Sequence, residues 1–296
     1  MNFFFNEDRK LETENRKKIM PELPEVELVA KSLDALVRGR KVIAAELLRA
    51  RLAPFNPPED FAERLKNTII SGVHRRGKHV LFDLENGNTL ITHLRMTGRF
   101  MILPLEREPP KYTHAVLYFA DENRLIFQDQ RHFGLMKIVE TAFLHETKEL
   151  KCLAPEPFSD AFTPQYLRAA LKTSKRSLKE FLLDQTKVCG LGNIYASEAM
   201  FLARANPQTP ANEVSARKAG VLFEKIREIL AESIAHGSTL NIDPENIDGS
   251  YYDGGYSKGW RVYDREKAPC PNCETPISRL KQGGRSSYFC PKCQRK

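Results

Sequence analysis

Hydrophobic and polar positions recur with two different periods along this chain, and the change of period divides it. Between residues 24 and 38, Val26, Val29, Ala30, Leu33, Leu36 and Val37 fall at helical spacing and Gly39 follows, which predicts a helix. Short β-type runs come next, at 41–48, 68–75, 79–84, 89–94, 99–103, 115–119, 124–127 and 135–139. Several alternate apolar with polar, and turn residues such as Glu85-Asn86-Gly87-Asn88 separate them. Many short strands of this kind predict a sandwich or flattened barrel. Beyond Ala154-Pro155-Glu156-Pro157 the period turns helical, at 164–171, 177–185, 194–204 and 211–236. Residues 237–259, rich in Gly, Ser, Asp and Tyr, read as a mobile loop.

The pattern therefore predicts an α+β, multidomain chain. Residues 1–19 are polar and mixed in charge, and read as a disordered extension or a misassigned start. Residues 20–145 form a β-sandwich with flanking helices, 146–259 a helical domain, and 260–296 a small cysteine module. A length of 296 residues is enough for two domains and such a module.

Composition narrows the partners. The net charge of +8 makes a polyanion a natural one. No apolar run approaches the roughly twenty residues that span a bilayer. Met1-Asn2-Phe3-Phe4-Phe5 meets charge too soon for a secretory signal, so the chain reads as soluble and cytoplasmic, without a membrane partner. Cys152 and Cys189 read as reduced structural thiols.

The other four cysteines stand as Cys270-Pro-Asn-Cys273 and Cys290-Pro-Lys-Cys293, with sixteen residues between the pairs. That spacing suits a four-thiolate site for one Zn²⁺, and four protein ligands make it structural rather than catalytic. Between the pairs, residues 278–280 and 286–289 can pair as a hairpin that projects Arg285 from a glycine-rich tip.

Met20-Pro21-Glu22-Leu23-Pro24-Glu25 looks like a second start of the protein. Within a chain the Pro21 nitrogen is an inert amide. At a free terminus it becomes a secondary amine, with a reference pKa of about 7.7–8.0, able to attack an electrophilic carbon. Glu22 stands beside it as a candidate acid/base. The same residues also suit an ordinary helix start, with Pro24 in the first turn and Glu22, Glu25 and Glu27 at its positive end.

Further segments accompany this start in order. They are Arg76-Gly77-Lys78, His93-Leu94-Arg95-Met96-Thr97-Gly98, Asp129-Gln130-Arg131-His132-Phe133-Gly134 and Gly190-Leu191-Gly192-Asn193-Ile194-Tyr195-Ala196-Ser197-Glu198, then the four-cysteine finger. Together they resemble the formamidopyrimidine-DNA glycosylases over residues 20–296, and Leu23 favours this branch over the related endonuclease VIII branch. The resemblance implies a bifunctional glycosylase and abasic-site lyase of base excision repair, with a helix–two-turn–helix element in its helical domain. It acts as a monomer on damaged double-stranded DNA and excises oxidised purines. Pro21 then matches the nucleophile, Glu22 the residue that protonates the opening sugar, Lys78 a proton-transfer and phosphate-contacting lysine, and Arg285 the finger arginine of δ-elimination.

Such chemistry needs the nucleotide turned out of the stack. Met96, Arg131 and Phe133 match the residues that fill the hole. Asn193 and Lys175 match phosphate contacts, Asn193 at a helix start whose N–H groups suit an anion. Lys179 lies near Lys175 on a basic helix. Tyr112 stands where some members carry a DNA-contacting histidine, and Thr97 where others carry serine or glutamate. Residues 241–258 correspond to the loop over the extruded base. Because the nucleophile must be a free amine, Met20 is expected to be the true start and to be removed. The alternatives are an oxidised-pyrimidine glycosylase with the same mechanism and, if Pro21 is not exposed, a non-catalytic zinc-finger DNA-binding protein.

Overall fold

The computed structural model describes residues 20–239 and 259–296. The 1–19 extension and the base-covering loop expected at 241–258 lie outside them. Helix α1 (Leu23–Val37) opens the described chain and is followed by β1 (Lys41–Leu47), α2 (Pro58–Leu65), β2 (Thr68–Arg76), β3 (His79–Leu84) and β4 (Asn88–His93). Then come β5 (Gly98–Pro104), β6 (Thr113–Phe119), β7 (Asn123–Asp129) and β8 (Leu135–Glu140). All neighbours pair antiparallel, in the order β5-β7-β6-β1-β2-β3-β4-β8.

Two halves of this sheet fold onto each other. They join where Lys41 pairs with Ile69 and Val42 with Thr68, beside a bulge in β1, the sort of irregularity that turns a sheet corner. Phe82 of β3 meets Phe100 of β5 edge-on at 5.3 Å, and Phe100 meets Phe127 of β7 at 5.2 Å. The apolar positions of both halves thus fill one core, as expected of a sandwich.

The helical region contains α3 (Pro164–Lys172), α4 (Leu178–Leu183), α5 (Asn193–Leu202) and α6 (Ala216–Ala235). Thr163, Ser177 and Ser215 cap α3, α4 and α6 by accepting from the N–H groups of Tyr166, Glu180 and Lys218. Its core includes Leu23, whereas Val26, Val29 and Leu33 of the same helix belong to the sandwich core. Helix α1 is therefore shared by both regions. Glu156 reinforces the joint by accepting from Arg75 at 2.7 Å, Arg76 at 2.9 Å and the Gly77 N–H at 2.6 Å.

Three elements differ from the sequence reading. Helix α2 was not anticipated, because two apolar residues one turn apart, Phe61 and Leu65, are too short a pattern to register. The helix expected over 211–236 is interrupted, since Pro210 leads into a 3₁₀ turn (Ala211–Glu213) and Ser215 caps a new start. The hairpin strands β9 (Ser278–Gln282) and β10 (Arg285–Phe289) close more tightly than expected, through Gly283 and Gly284 at φ +53° and +78°. Two successive positive φ values give the turn that matches the twist of a two-residue hairpin, and glycine adopts them without Cβ strain.

Candidate active site and nucleic-acid interface

A cleft of about 250 Å³ opens where sandwich, helical region and hairpin meet, lined by Met20, Glu22, Lys78, Met96, Asn193 and Arg285 among others. Each side chain arrives on its own element. Met20 and Glu22 precede α1, Lys78 sits in the β2–β3 turn, Met96 in the β4–β5 loop, Asn193 begins α5, and Arg285 opens β10. Pro21 lies buried at the same edge, its nitrogen joined to Met20 in the peptide bond.

Glu22 is only 3% exposed. Its carboxylate accepts from the N–H groups of Gly192 at 2.7 Å, Ile194 at 2.8 Å and Tyr195 at 3.3 Å, so it caps α5. Burial pushes this carboxyl above its ordinary pKa, while the Lys78 ammonium and the α5 N–H groups pull it back. The two glycines before α5 are explained by this approach. A Cβ on Gly192 would lie 2.3 Å from the Glu22 carboxyl carbon, and one on Gly190 2.5 Å from Leu23.

These bonds correct one expectation. The first-turn N–H groups of α5 at Ile194 and Tyr195, expected to await a phosphate, are taken by Glu22. Asn193 does line the cleft, and its buried Oδ1 has no hydrogen-bond partner among the described residues.

Lys78 donates to the Leu191 carbonyl at 2.8 Å. Burial lowers its pKa, Glu22 opposes that shift, and Arg285 adds to it. Beneath them Lys179, read as lying near Lys175 on a basic helix, is fully buried. It donates to the Asn193 carbonyl at 2.8 Å and the Ser197 hydroxyl at 2.6 Å, and burial pushes its pKa down to about 7. Lys175, by contrast, is exposed between α3 and α4 and does not line the cleft.

Neighbouring loops of the sandwich carry the rim. Arg131 Nη1 lies 2.8 Å from Met96 Sδ, and its guanidinium lies 4.9 Å from the centre of the Phe133 ring. Phe133 is 52% exposed, too much for core packing. Tyr112 stands nearby, its ring 5.7 Å from that of His132. The structure thus brings half-buried Met96 and Arg131 together with exposed Phe133 as an apolar and cationic ridge beside the cleft.

The four cysteine sulfurs lie within 4.8 Å of one another, with separations of 3.4 Å for Cys273–Cys293, 3.5 Å for Cys273–Cys290 and 3.9 Å for Cys270–Cys293. Zinc–sulfur bonds of about 2.3 Å in a tetrahedron require edges of about 3.8 Å, so the site fits one closed structural zinc. Of the other two cysteines, Cys189 is buried and Cys152 is exposed.

Sequence reasoning did not assign Glu198, Lys179 or Asp129. Glu198 is fully buried and accepts from the N–H groups of Arg261, Val262 and Tyr263 at 2.8–2.9 Å, which fixes the approach to the finger. A signal was available: Ser197-Glu198 sits inside a run from Ile194 to Phe201 that is otherwise apolar apart from Tyr195. Buried carboxylates require partners.

A sandwich, a helical domain and a zinc hairpin around one cleft have the architecture of a DNA glycosylase of base excision repair. Three family models match most of the chain: the formamidopyrimidine-DNA glycosylase N-terminal domain over residues 20–136, its H2TH domain over 153–243, and the zinc finger found in FPG and IleRS over 268–295. The formamidopyrimidine-DNA glycosylase of Pelotomaculum thermopropionicum is 40% identical over 276 residues, 93% of this chain and 99% of the relative. That of Listeria innocua is 38% identical over 93% of this chain and 100% of its own. A solved complex between the Lactococcus lactis Fpg and an abasic-site-containing DNA superposes with a TM-score of 0.86 at 32% identity, covering 93% of this chain and 100% of that one. The chain belongs to the formamidopyrimidine-DNA glycosylase family. Among the described residues, no helix is long and apolar enough to cross a membrane.

Proposed function

We propose that this protein excises oxidised purines from duplex DNA and then cleaves the strand, using Pro21 as an N-terminal amine. The observation that carries the reading is the placement of Glu22, Lys78 and Arg285 around the cleft edge where Met20 meets Pro21. The match to the N-terminal family model begins at residue 20, which supports translation from Met20, and the reading requires that this methionine then be removed. The freed amine attacks the sugar C1′, and the C1′–base bond breaks with its electron pair leaving on the base. Ring opening gives an iminium between Pro21 and the sugar. Glu22, held protonatable by burial, supplies the proton to the ring oxygen as it opens.

The iminium draws electrons from C2′, so a C2′ proton leaves and the 3′ phosphate departs by β-elimination. A second elimination releases the 5′ phosphate. Lys78 contacts those phosphates and moves the protons, and Arg285, which lines the same cleft, serves the second elimination. Met96, Arg131 and Phe133 enter the space of the extruded nucleotide, offsetting lost stacking of a few kcal/mol. Tyr112 and Lys175 contact the backbone outside the cleft. The zinc ion, held by Cys270, Cys273, Cys290 and Cys293, fixes the hairpin that presents Arg285.

A wider substrate range has one specific support. A Lactococcus lactis relative was solved in complex with an oxidised-pyrimidine-containing DNA. The test is borohydride trapping and product analysis on duplexes carrying 8-oxoguanine or thymine glycol. The reading expects covalent capture and faster release of 8-oxoguanine. Faster release of thymine glycol would assign the pyrimidine specificity, and binding without capture on either duplex would make the protein a non-catalytic binder.

A further inference from the structure

The rim residues sit on three separate loops, yet one residue beneath them ties all three together, two through its side chain and the third through its backbone. Asp129, the last residue of β7, is fully buried. Its Oδ1 accepts from the Thr97 hydroxyl and from the Arg131 N–H, the latter at 3.1 Å. Its Oδ2 accepts from the Gly134 N–H at 2.7 Å. The Asp129 N–H donates to the Tyr112 carbonyl at 3.1 Å, and its own carbonyl lies 2.9 Å from His114 Nε2. Thr97 follows Met96, Tyr112 ends the β5–β6 loop, and Arg131 and Gly134 bracket Phe133. Tyr112 and Arg131 therefore bond Asp129 directly, and Met96 and Phe133 are each next in sequence to a residue that does.

The local backbone explains why such a clamp is needed. Tyr112 and His132 hold φ values of +70° and +60°, a conformation that non-glycine side chains adopt only when the surroundings enforce it. Gly134 fits because a Cβ there would meet the Phe127 ring at 2.8 Å, and the missing side chain lets its N–H reach Asp129. A buried carboxylate is stable only with several donors, and charged acceptors make the stronger bonds.

We propose that Asp129 is the positioning residue of the insertion ridge: its carboxylate locks the loops bearing Met96, Arg131 and Phe133 in the one arrangement that can enter the base stack. This inference rests on the reading of those three residues as the void-filling set. It predicts that losing the carboxylate harms the step that extrudes a stacked nucleotide and spares the covalent chemistry. Asparagine is the sharp substitution, because its amide group must face either the Gly134 N–H or the donors on Oδ1. Thr97→Val is the milder one, removing a single hydroxyl.

The experiment compares two substrates for zinc-loaded wild type, Asp129→Asn, Thr97→Val and Phe133→Ala. One is an 8-oxoguanine duplex read by single-turnover base release. The other is a single-stranded abasic oligonucleotide read by borohydride trapping, which requires no extrusion. Displacing the ridge by an ångström should slow duplex excision by Asp129→Asn roughly 10- to 100-fold while trapping stays near wild type. Thr97→Val should show a smaller loss of the same kind, and it decides the question if Asp129→Asn does not fold. Equal losses on both substrates, or undiminished duplex excision, would overturn the clamp. Unimpaired excision by Phe133→Ala would overturn the void-filling reading and the clamp with it, whereas impairment by Phe133→Ala alone would reject only the clamp.

Discussion

The floor of the cleft and its rim solve opposite problems. On the floor, Glu22 and Lys179 are 3% and 0% exposed, and Lys78 is half-buried, each with hydrogen-bond partners. On the rim, Phe133 presents about half its surface to solvent and Arg131 lies across its ring. A buried titratable group can be tuned because its neighbours are fixed, and an exposed apolar ridge can be used because nothing yet covers it. The floor is accordingly built on helix ends and glycines, and the rim on loops pinned from below.

The largest effect on the chemistry should come from disturbing the floor, where base release itself is lost. In Gly192→Ala the new methyl would overlap the Glu22 carboxyl, whose carbon would lie 2.3 Å away. The cost should be on the order of 3 kcal/mol of stability, together with loss of base release as the carboxylate moves. Chemical denaturation and single-turnover excision check this, and near-normal values for both would mean that the Glu22–α5 contact is not the constraint described.

Removing zinc should act next, on the hairpin alone. Structural zinc contributes about 10–16 kcal/mol in finger peptides, far more than the few apolar residues packed around Cys270 and Cys290 can supply. Chelation should abolish strand cleavage and weaken DNA binding while the sandwich keeps its circular dichroism signal. Cleavage that survives full metal removal would separate Arg285 from the chemistry.

The smallest effect concerns pH. Lys179 is pushed down to about 7 in the fold, whereas an unfolded lysine holds its proton to about 10.4. Between those values the unfolded chain binds more protons, so this group makes the folded state more stable as pH rises through that window. The stability difference between wild type and Lys179→Met should therefore shift toward wild type from about pH 7 to pH 10 in thermal melts. A difference that stays flat would show that Lys179 keeps its charge in the fold.

Much of this contrast was legible in the sequence, and the gaps have physical causes. Alternating apolar positions revealed the strands, and cysteine spacing revealed the zinc site, because both signals are local. The pairing of Met96 with Arg131 was expected only through resemblance, as 35 residues separate them and no periodicity links two loops. Lys179 misled because a lysine four residues from Lys175 reads as a basic face, and only the fold shows that α5 covers it. Gly190 and Gly192 looked like a phosphate cradle, when their purpose is to admit Leu23 and Glu22. Asp129 stood inside a recognised segment without a role, since a carboxylate that binds backbone N–H groups leaves no mark on charge pattern.

The central claim is that the Pro21 nitrogen, freed from Met20, forms the bond to deoxyribose. Borohydride reduction of active protein on an abasic duplex, followed by proteolysis and mass spectrometry, locates that bond directly. The account predicts a sugar remnant on a peptide whose first residue is Pro21. A remnant on Lys78 or another lysine, or capture by protein in which Met20 still precedes Pro21, would contradict it.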